Sequence, residues 1–267
     1  MPRKKDDLVG AAASAAAAAQ AGQEAIARRE LAAVFRLLAH FDMADLIFTH
    51  ATARLPWGEG RMLINPYGLM FDEITASNLV SVDWRTPRVY PARQVNPTGL
   101  VIHGAIHQAR PDAACVVHAH SLAGCAIAAR KEGLLPLNQI SLEFYDRVAY
   151  HDYEGVSLNE AEKDRLIANL GSLPVMIMRN HGLLAVGKTP AQAFLRIYYL
   201  EKACRIQVAA QSGGSEIIIP DPRICERAAL QLVGESVGDD FVDDVAYELA
   251  WRALLRLLDR TAPDYVE

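Results

Sequence analysis

Between Gln23 and Phe41 the apolar residues Ile26, Leu31, Val34, Phe35, Leu37 and Leu38 recur mostly three and four positions apart, with Arg28, Arg29 and Glu30 between them. That period predicts a helix with one buried face. The pattern then shortens. Residues 46–54 (LIFTHATAR) partly alternate and carry β-branched side chains, predicting a strand; Met62-Leu63-Ile64 follows a turn containing Pro56, Gly58 and Gly60 as its hairpin partner. Asn65-Pro66-Tyr67-Gly68 has turn chemistry, residues 75–79 read as a short capped helix and 79–83 as a strand. Thr98 reads as the N-cap of a helix from about Gly99 to Gln108, stopped near Arg110-Pro111. The apolar run 114–120 predicts a buried strand, with Ser121 capping a helix that runs through Arg130. A second buried strand spans 173–178, with 183–186 as its hairpin partner. Thr189-Pro190 is a good Ncap–N1 pair for a long helix to about Gln211, and 221–259 is mostly helical and amphipathic.

Hairpin strands interspersed with helices predict an α/β fold, a sandwich with a central, largely antiparallel sheet covered by helices. No internal repeat or linker divides the chain, so residues 23–267 read as a single domain. Ahead of it, Met1-Pro2-Arg3-Lys4-Lys5, Asp6-Asp7 and the alanine run from Ala11 read as a disordered or loosely helical tail, residues 1–22. A targeting segment is the weaker alternative, because the run is alanine and aspartates separate it from the basic cluster.

Charge and composition narrow the function. The net charge of -5, from 27 basic and 32 acidic residues, gives no basic footprint for nucleic acid. No stretch approaches the roughly 18–20 apolar residues that span a bilayer. Cys115, Cys125, Cys204 and Cys225 lie far apart with no CxxC pair, as expected of reduced thiols in a cytoplasmic protein.

The chemistry concentrates in three histidines. His118 and His120 are two positions apart on a predicted strand and so share a face, at a strand end where a pocket would open. His181 ends the second buried strand between Asn180 and Gly182, the latter suited to a close backbone approach. Three imidazoles leave coordination positions open, the mark of a catalytic metal site.

Three segments carry a family resemblance. They are His103-Gly104-Ala105-Ile106-His107-Gln108-Ala109-Arg110-Pro111-Asp112 leading into Val116-Val117-His118-Ala119-His120-Ser121, then Met178-Arg179-Asn180-His181-Gly182-Leu183, and Ile64-Asn65-Pro66-Tyr67-Gly68-Leu69 with Glu73 to Val80 after it. Over about residues 25–215 the chain resembles the class II aldolase/adducin superfamily, and in particular its adducin-like bacterial branch. The resemblance implies a three-layer αβα sandwich and a divalent metal, Zn2+ first and Fe2+, Mn2+ or Co2+ as alternatives, held by His118, His120 and His181. It also implies a small-molecule substrate and a homotetramer with active sites near subunit interfaces.

Two departures stand out. The acid/base glutamate of the sugar-phosphate aldolases falls, counting back from His118, on Gly99, with no carboxylate near. Their Gly-Asn-x-Ser phosphate turn is replaced by Phe48-Thr49-His50-Ala51-Thr52-Ala53-Arg54. His50, at that altered loop, is the first candidate to replace the base, since an imidazole moves protons near neutrality; its alternative is a hydrogen-bonded sheet histidine. Tyr145 and Glu143 are second candidates, as proton donor or substrate contact. Of the helix pair His103 and His107, the first could approach the metal and the second reads as structural, while His151 reads as a loop residue. The reading is a metal-dependent lyase cleaving a hydroxy-carbonyl or keto acid other than a sugar phosphate. Its alternatives are a non-haem Fe(II) oxygenase or decarboxylase on the same scaffold, and a non-catalytic adducin-like scaffold.

Overall fold

The computed structural model describes residues 5–55, 57, 60–86, 90, 93–155, 160–232 and 245–267. Seven strands form one mixed sheet: β1 (His50–Arg54), β2 (Arg61–Ile64), β3 (Val80–Asp83), β4 (Cys115–Ala119), β5 (Val148–His151), β6 (Val175–Met178) and β7 (Gly182–Gly187). Their spatial order is β3-β2-β1-β4-β7-β6-β5. Every pairing is antiparallel except β5 with β6, so the sheet is largely antiparallel, as expected.

The strand period sorts β4 cleanly. Cys115, Val117 and Ala119 join a core with buried residues of α1 (Lys5–His40), α3 (Leu122–Ala128), α6 (Pro190–Ser212) and α8 (Tyr247–Thr261). Val116 instead joins Ile102 and Ile106 of α2 (Pro97–Ala109) and Leu166 and Leu170 of α5 (Glu160–Leu170) on the opposite face. Helices therefore cover both faces, as the αβα expectation required, and the short helices α4 (Gln139–Leu142) and α7 (Pro222–Leu232) pack together outside.

Local chemistry corrects several predicted boundaries. Strand β1 begins only at His50, because Leu46 (φ 50°) and Thr49 (φ 68°) take left-handed backbone and Leu46 and Phe48 are exposed. Residues 75–79 form a turn, not a helix: the Asn78 amide accepts from Thr75 N–H and donates to the Glu73 carbonyl, competing with helical bonds. The N-cap of α2 is Asn96, whose Oδ1 accepts from Thr98 N–H, with Pro97 at N1; Thr98 is already inside. His151 ends β5, buried, rather than lying in a loop. The alanine run belongs to α1, continuous from Lys5. Among the described residues no helix is long and apolar enough to cross a membrane.

Candidate metal centre

The register brings the histidines together. His50 of β1 lies opposite His118 of β4, and β4 pairs with β7 directly beyond the turn that carries His181. That turn holds Asn180 at φ 55°, and Gly182 is required: a Cβ there would stand 2.6 Å from the Ala119 carbonyl oxygen. The result is a cluster in which His118, His120 and His181 offer nitrogens all within 4.8 Å of one another. His118 Nε2 is 3.0 Å from His120 Nε2 and 3.2 Å from His181 Nε2.

Their other nitrogens decide what the cluster can bind. A carbonyl only accepts, so His118 Nδ1–H donates to Leu183 O at 2.9 Å; a carboxylate only accepts, so His120 Nδ1–H donates to Asp45 at 2.9 Å. Both Nε2 atoms are then bare lone pairs in the neutral state, and neither supplies a proton to the other. A proton on His181 would satisfy one contact at most, whereas one cation satisfies all three. Burial, reinforced by the neighbouring imidazoles, holds His118 well below the ordinary histidine pKa and His181 at about 4, so both are neutral as ligands must be. The donor set therefore fits a divalent metal, with Asp45 and Leu183 O orienting two of the three rings in the manner of outer-shell partners.

Beside the triad opens a cavity of about 520 Å³, lined by His50, His118, His120 and His181 together with Thr49, Thr98, Asn96, Tyr67 and Tyr153. His50 is fully enclosed and held at about 3, by burial first and then by His120 and His181. Gly99 packs against it: a Cβ at 99 would meet the His50 ring at 2.9 Å. The imidazole thus occupies the room that a longer side chain at 99 would need.

The other candidates lie elsewhere. Tyr145 lines a separate cavity with Leu134, Pro136 and Phe144, and Glu143 accepts the Tyr247 hydroxyl; neither lines the triad's cavity in this chain. His103 does not reach the metal cluster, because its Nε2 is taken by His50 Nδ1 at 3.0 Å. His107 is structural, buried between Thr52 and the Ala113 carbonyl. Sequence reasoning missed Asp45, Thr49 and Thr98. Thr49 is buried at the cavity with no hydrogen-bond partner for its hydroxyl, but nothing in its sequence setting signals the left-handed backbone that puts it there.

A seven-stranded sheet clad by helices, with a three-histidine cluster able to hold a metal ion beside a cavity, defines the class of α/β protein to which this chain belongs. Residues 29–208 match the family model for the Class II Aldolase and Adducin N-terminal domain, and the chain belongs to that family. A Caulobacter vibrioides protein whose name provisionally gives it as an aldolase class 2 protein is 44% identical over 247 residues, covering 90% of this chain and 92% of its own. Mouse alpha-adducin is 39% identical over 246 residues, covering 88% of this chain but only 33% of the adducin. Among solved structures, an aldolase II superfamily protein from Pseudomonas syringae superposes with a TM-score of 0.84 at 43% identity, covering 92% of this chain and 96% of that one. L-fuculose 1-phosphate aldolase from Glaciozyma antarctica gives 0.77 at 26% identity, covering 92% and 94%.

Proposed function

We propose that this protein is a divalent-metal-dependent carbon–carbon lyase that cleaves a hydroxy-carbonyl or keto-acid substrate other than a sugar phosphate. The carrying observation is the convergence of three histidine nitrogens, in which His118 and His120 each give their Nδ1 hydrogen to an outer acceptor and so have no hydrogen between their facing Nε2 atoms. Three nitrogens suit zinc with an open position, and differ from the two-histidine, one-carboxylate set of Fe(II) oxygenases, which favours the lyase reading. A bound metal would polarise the substrate carbonyl and stabilise the enediolate that bond cleavage leaves behind.

The chain's own residues do the rest. His118, His120 and His181 hold the ion, and Asp45 keeps His120 turned toward it. His50, at the cavity wall, takes the acid/base position that Gly99 leaves vacant. Tyr145 and Glu143 do not line the cavity within one chain, so a role for either as proton donor or substrate contact would have to come from a neighbouring subunit. The absence of a glutamate at 99 argues against sugar-phosphate chemistry even though several structural neighbours, the Glaciozyma antarctica enzyme among them, are named for it. We place the protein in the cytoplasm, on its four free thiols, and as a homotetramer, on its family.

Metal analysis of freshly purified protein tests this reading, repeated on His118→Ala. Near-stoichiometric zinc in the native protein, mostly lost in the variant, is expected. Equal metal content in the two overturns the site. A panel of hydroxy-keto acids then tests the reaction by aldehyde release; oxygen uptake by the Fe(II)-loaded protein, with no cleavage, would move the assignment to an oxygenase.

A further inference from the structure

Behind the cavity wall, between the sheet and α2, runs a line of four polar side chains that the metal centre does not use. His50 Nδ1 is 3.0 Å from His103 Nε2, and His103 Nδ1 is 2.9 Å from Thr52 Oγ1. Thr52 Oγ1 is 2.8 Å from His107 Nε2, and His107 Nδ1 is 2.9 Å from the Ala113 carbonyl oxygen. All four residues are at most 1% exposed. The strand period places His50 and Thr52 on the face toward α2, and the helical spacing of 103 and 107 lays both rings over them.

The far end of this line fixes the direction of every hydrogen in it. The Ala113 carbonyl can only accept, so His107 carries its proton on Nδ1 and leaves Nε2 bare. Thr52 has one hydroxyl hydrogen and gives it to that bare nitrogen. Its oxygen then accepts from His103 Nδ1–H, which leaves His103 Nε2 bare in turn. His50 must therefore donate from Nδ1, and its own Nε2 is a lone pair at the cavity wall. Among the described residues the neighbour in reach there, Thr98 Oγ1 at 3.4 Å, cannot fill the gap: it donates its hydrogen to Asn96 Oδ1 at 2.8 Å.

We infer that Thr52, His103 and His107 are positioning residues that lock His50 in the Nδ1–H tautomer and present its Nε2 to the cavity as an acceptor. What His50 takes from a bound molecule is then an O–H or N–H hydrogen, and under the proposed lyase reading the group that fits is a substrate hydroxyl. The lock itself does not depend on that reading, because it is set by the bonds from His50 to His103 and on through Thr52 to His107, none of which involves His118, His120 or His181.

The ring-nitrogen signals of 15N-histidine-labelled protein in long-range 1H–15N spectra test it, with His50 assigned by the peak lost in His50→Gln. Wild type should show His50, His103 and His107 each with a protonated Nδ1 and a bare Nε2, in both zinc-loaded and chelator-treated protein. Thr52→Val keeps the shape but removes the hydroxyl, and should give His50 a mixture of both tautomers; Thr52→Ser, which keeps the hydroxyl, should restore the single form. A wild-type His50 with its proton on Nε2 overturns the inference, as does an unchanged single tautomer in Thr52→Val. If the valine variant does not fold, the wild-type spectrum alone decides. Metal content, measured separately, reports on the triad and not on this lock.

Discussion

A methyl group added at Gly99 would stand 2.9 Å from the His50 ring and 3.0 Å from the tip of Ile64. Inside a helix, replacing glycine by alanine ordinarily gains about 1 kcal/mol, while overfilling a packed interior costs about 1–3 kcal/mol. Gly99→Ala should therefore lose stability by roughly 1 kcal/mol, as a lower urea midpoint at unchanged slope. In a His50→Ala background, where the ring is gone, the same substitution should become neutral or stabilising. A loss of equal size in both backgrounds would mean that His50 does not fill this space. At this scale the sequence was partly legible. His118, His120, His181 and His50 were readable from strand spacing, the Asn180-His181-Gly182 turn and the departure at 99, and they do converge. Asp45 and Thr98 were not, because their roles come from tertiary proximity: Asp45 lies seventy-five positions from the His120 that it orients. Tyr145 and Glu143 were chosen for side-chain chemistry alone, and within one chain the fold sets them away from the triad's cavity.

Helix α3 shows how a correct element can rest on an unexpected contact. Ser121 is its N-cap residue, as the sequence suggested, but its hydroxyl makes no capping bond. It donates instead to Glu201 of α6, and that same buried carboxylate accepts the Gly124 N–H. A side chain from another helix thus satisfies the open amide end, where an acceptor is needed and negative charge is favoured. Glu201→Ala should cost about 2–4 kcal/mol, since it strands two buried donors, with faster amide exchange at Gly124. Glu201→Gln retains one acceptor oxygen and should cost less; an alanine variant as stable as wild type would leave α3 held by packing alone. The elements legible in advance were those with dense apolar periodicity: β4, β6, β7, α6 and the buried part of α1. Helix α5 escaped because its buried face is sparse, resting on Leu166 and Leu170 in a run of charged residues. Strand β5 escaped because four residues ending in a histidine carry too short an alternation to register.

For the molecule as a whole, the histidines buried between the sheet and α2 add to the pH dependence of stability that His50, His118 and His181 also carry. His107 is held at about 3, by burial first and then by the Arg54 guanidinium, and burial likewise keeps His103 well below the ordinary value. In the unfolded chain both would titrate near ~6.5. The folded state thus binds fewer protons than the unfolded state below that pH, so stability is fully present above it and drains away as pH falls toward about 3. Each such group contributes a slope of about 1.4 kcal/mol per pH unit across the window. These two groups alone should therefore cost zinc-free protein a few kcal/mol between pH 6.5 and pH 5, read as the urea unfolding free energy at each pH, with His50, His118 and His181 adding to the loss in the same direction. Using metal-free protein separates this effect from proton competition for the triad, which acts in the same direction and would otherwise be added to it. In His107→Gln, whose amide cannot titrate, the slope should shrink by about one proton's worth. An identical slope in the variant would mean that His107 is not the neutral, enclosed group that its bonds to Thr52 and the Ala113 carbonyl make it.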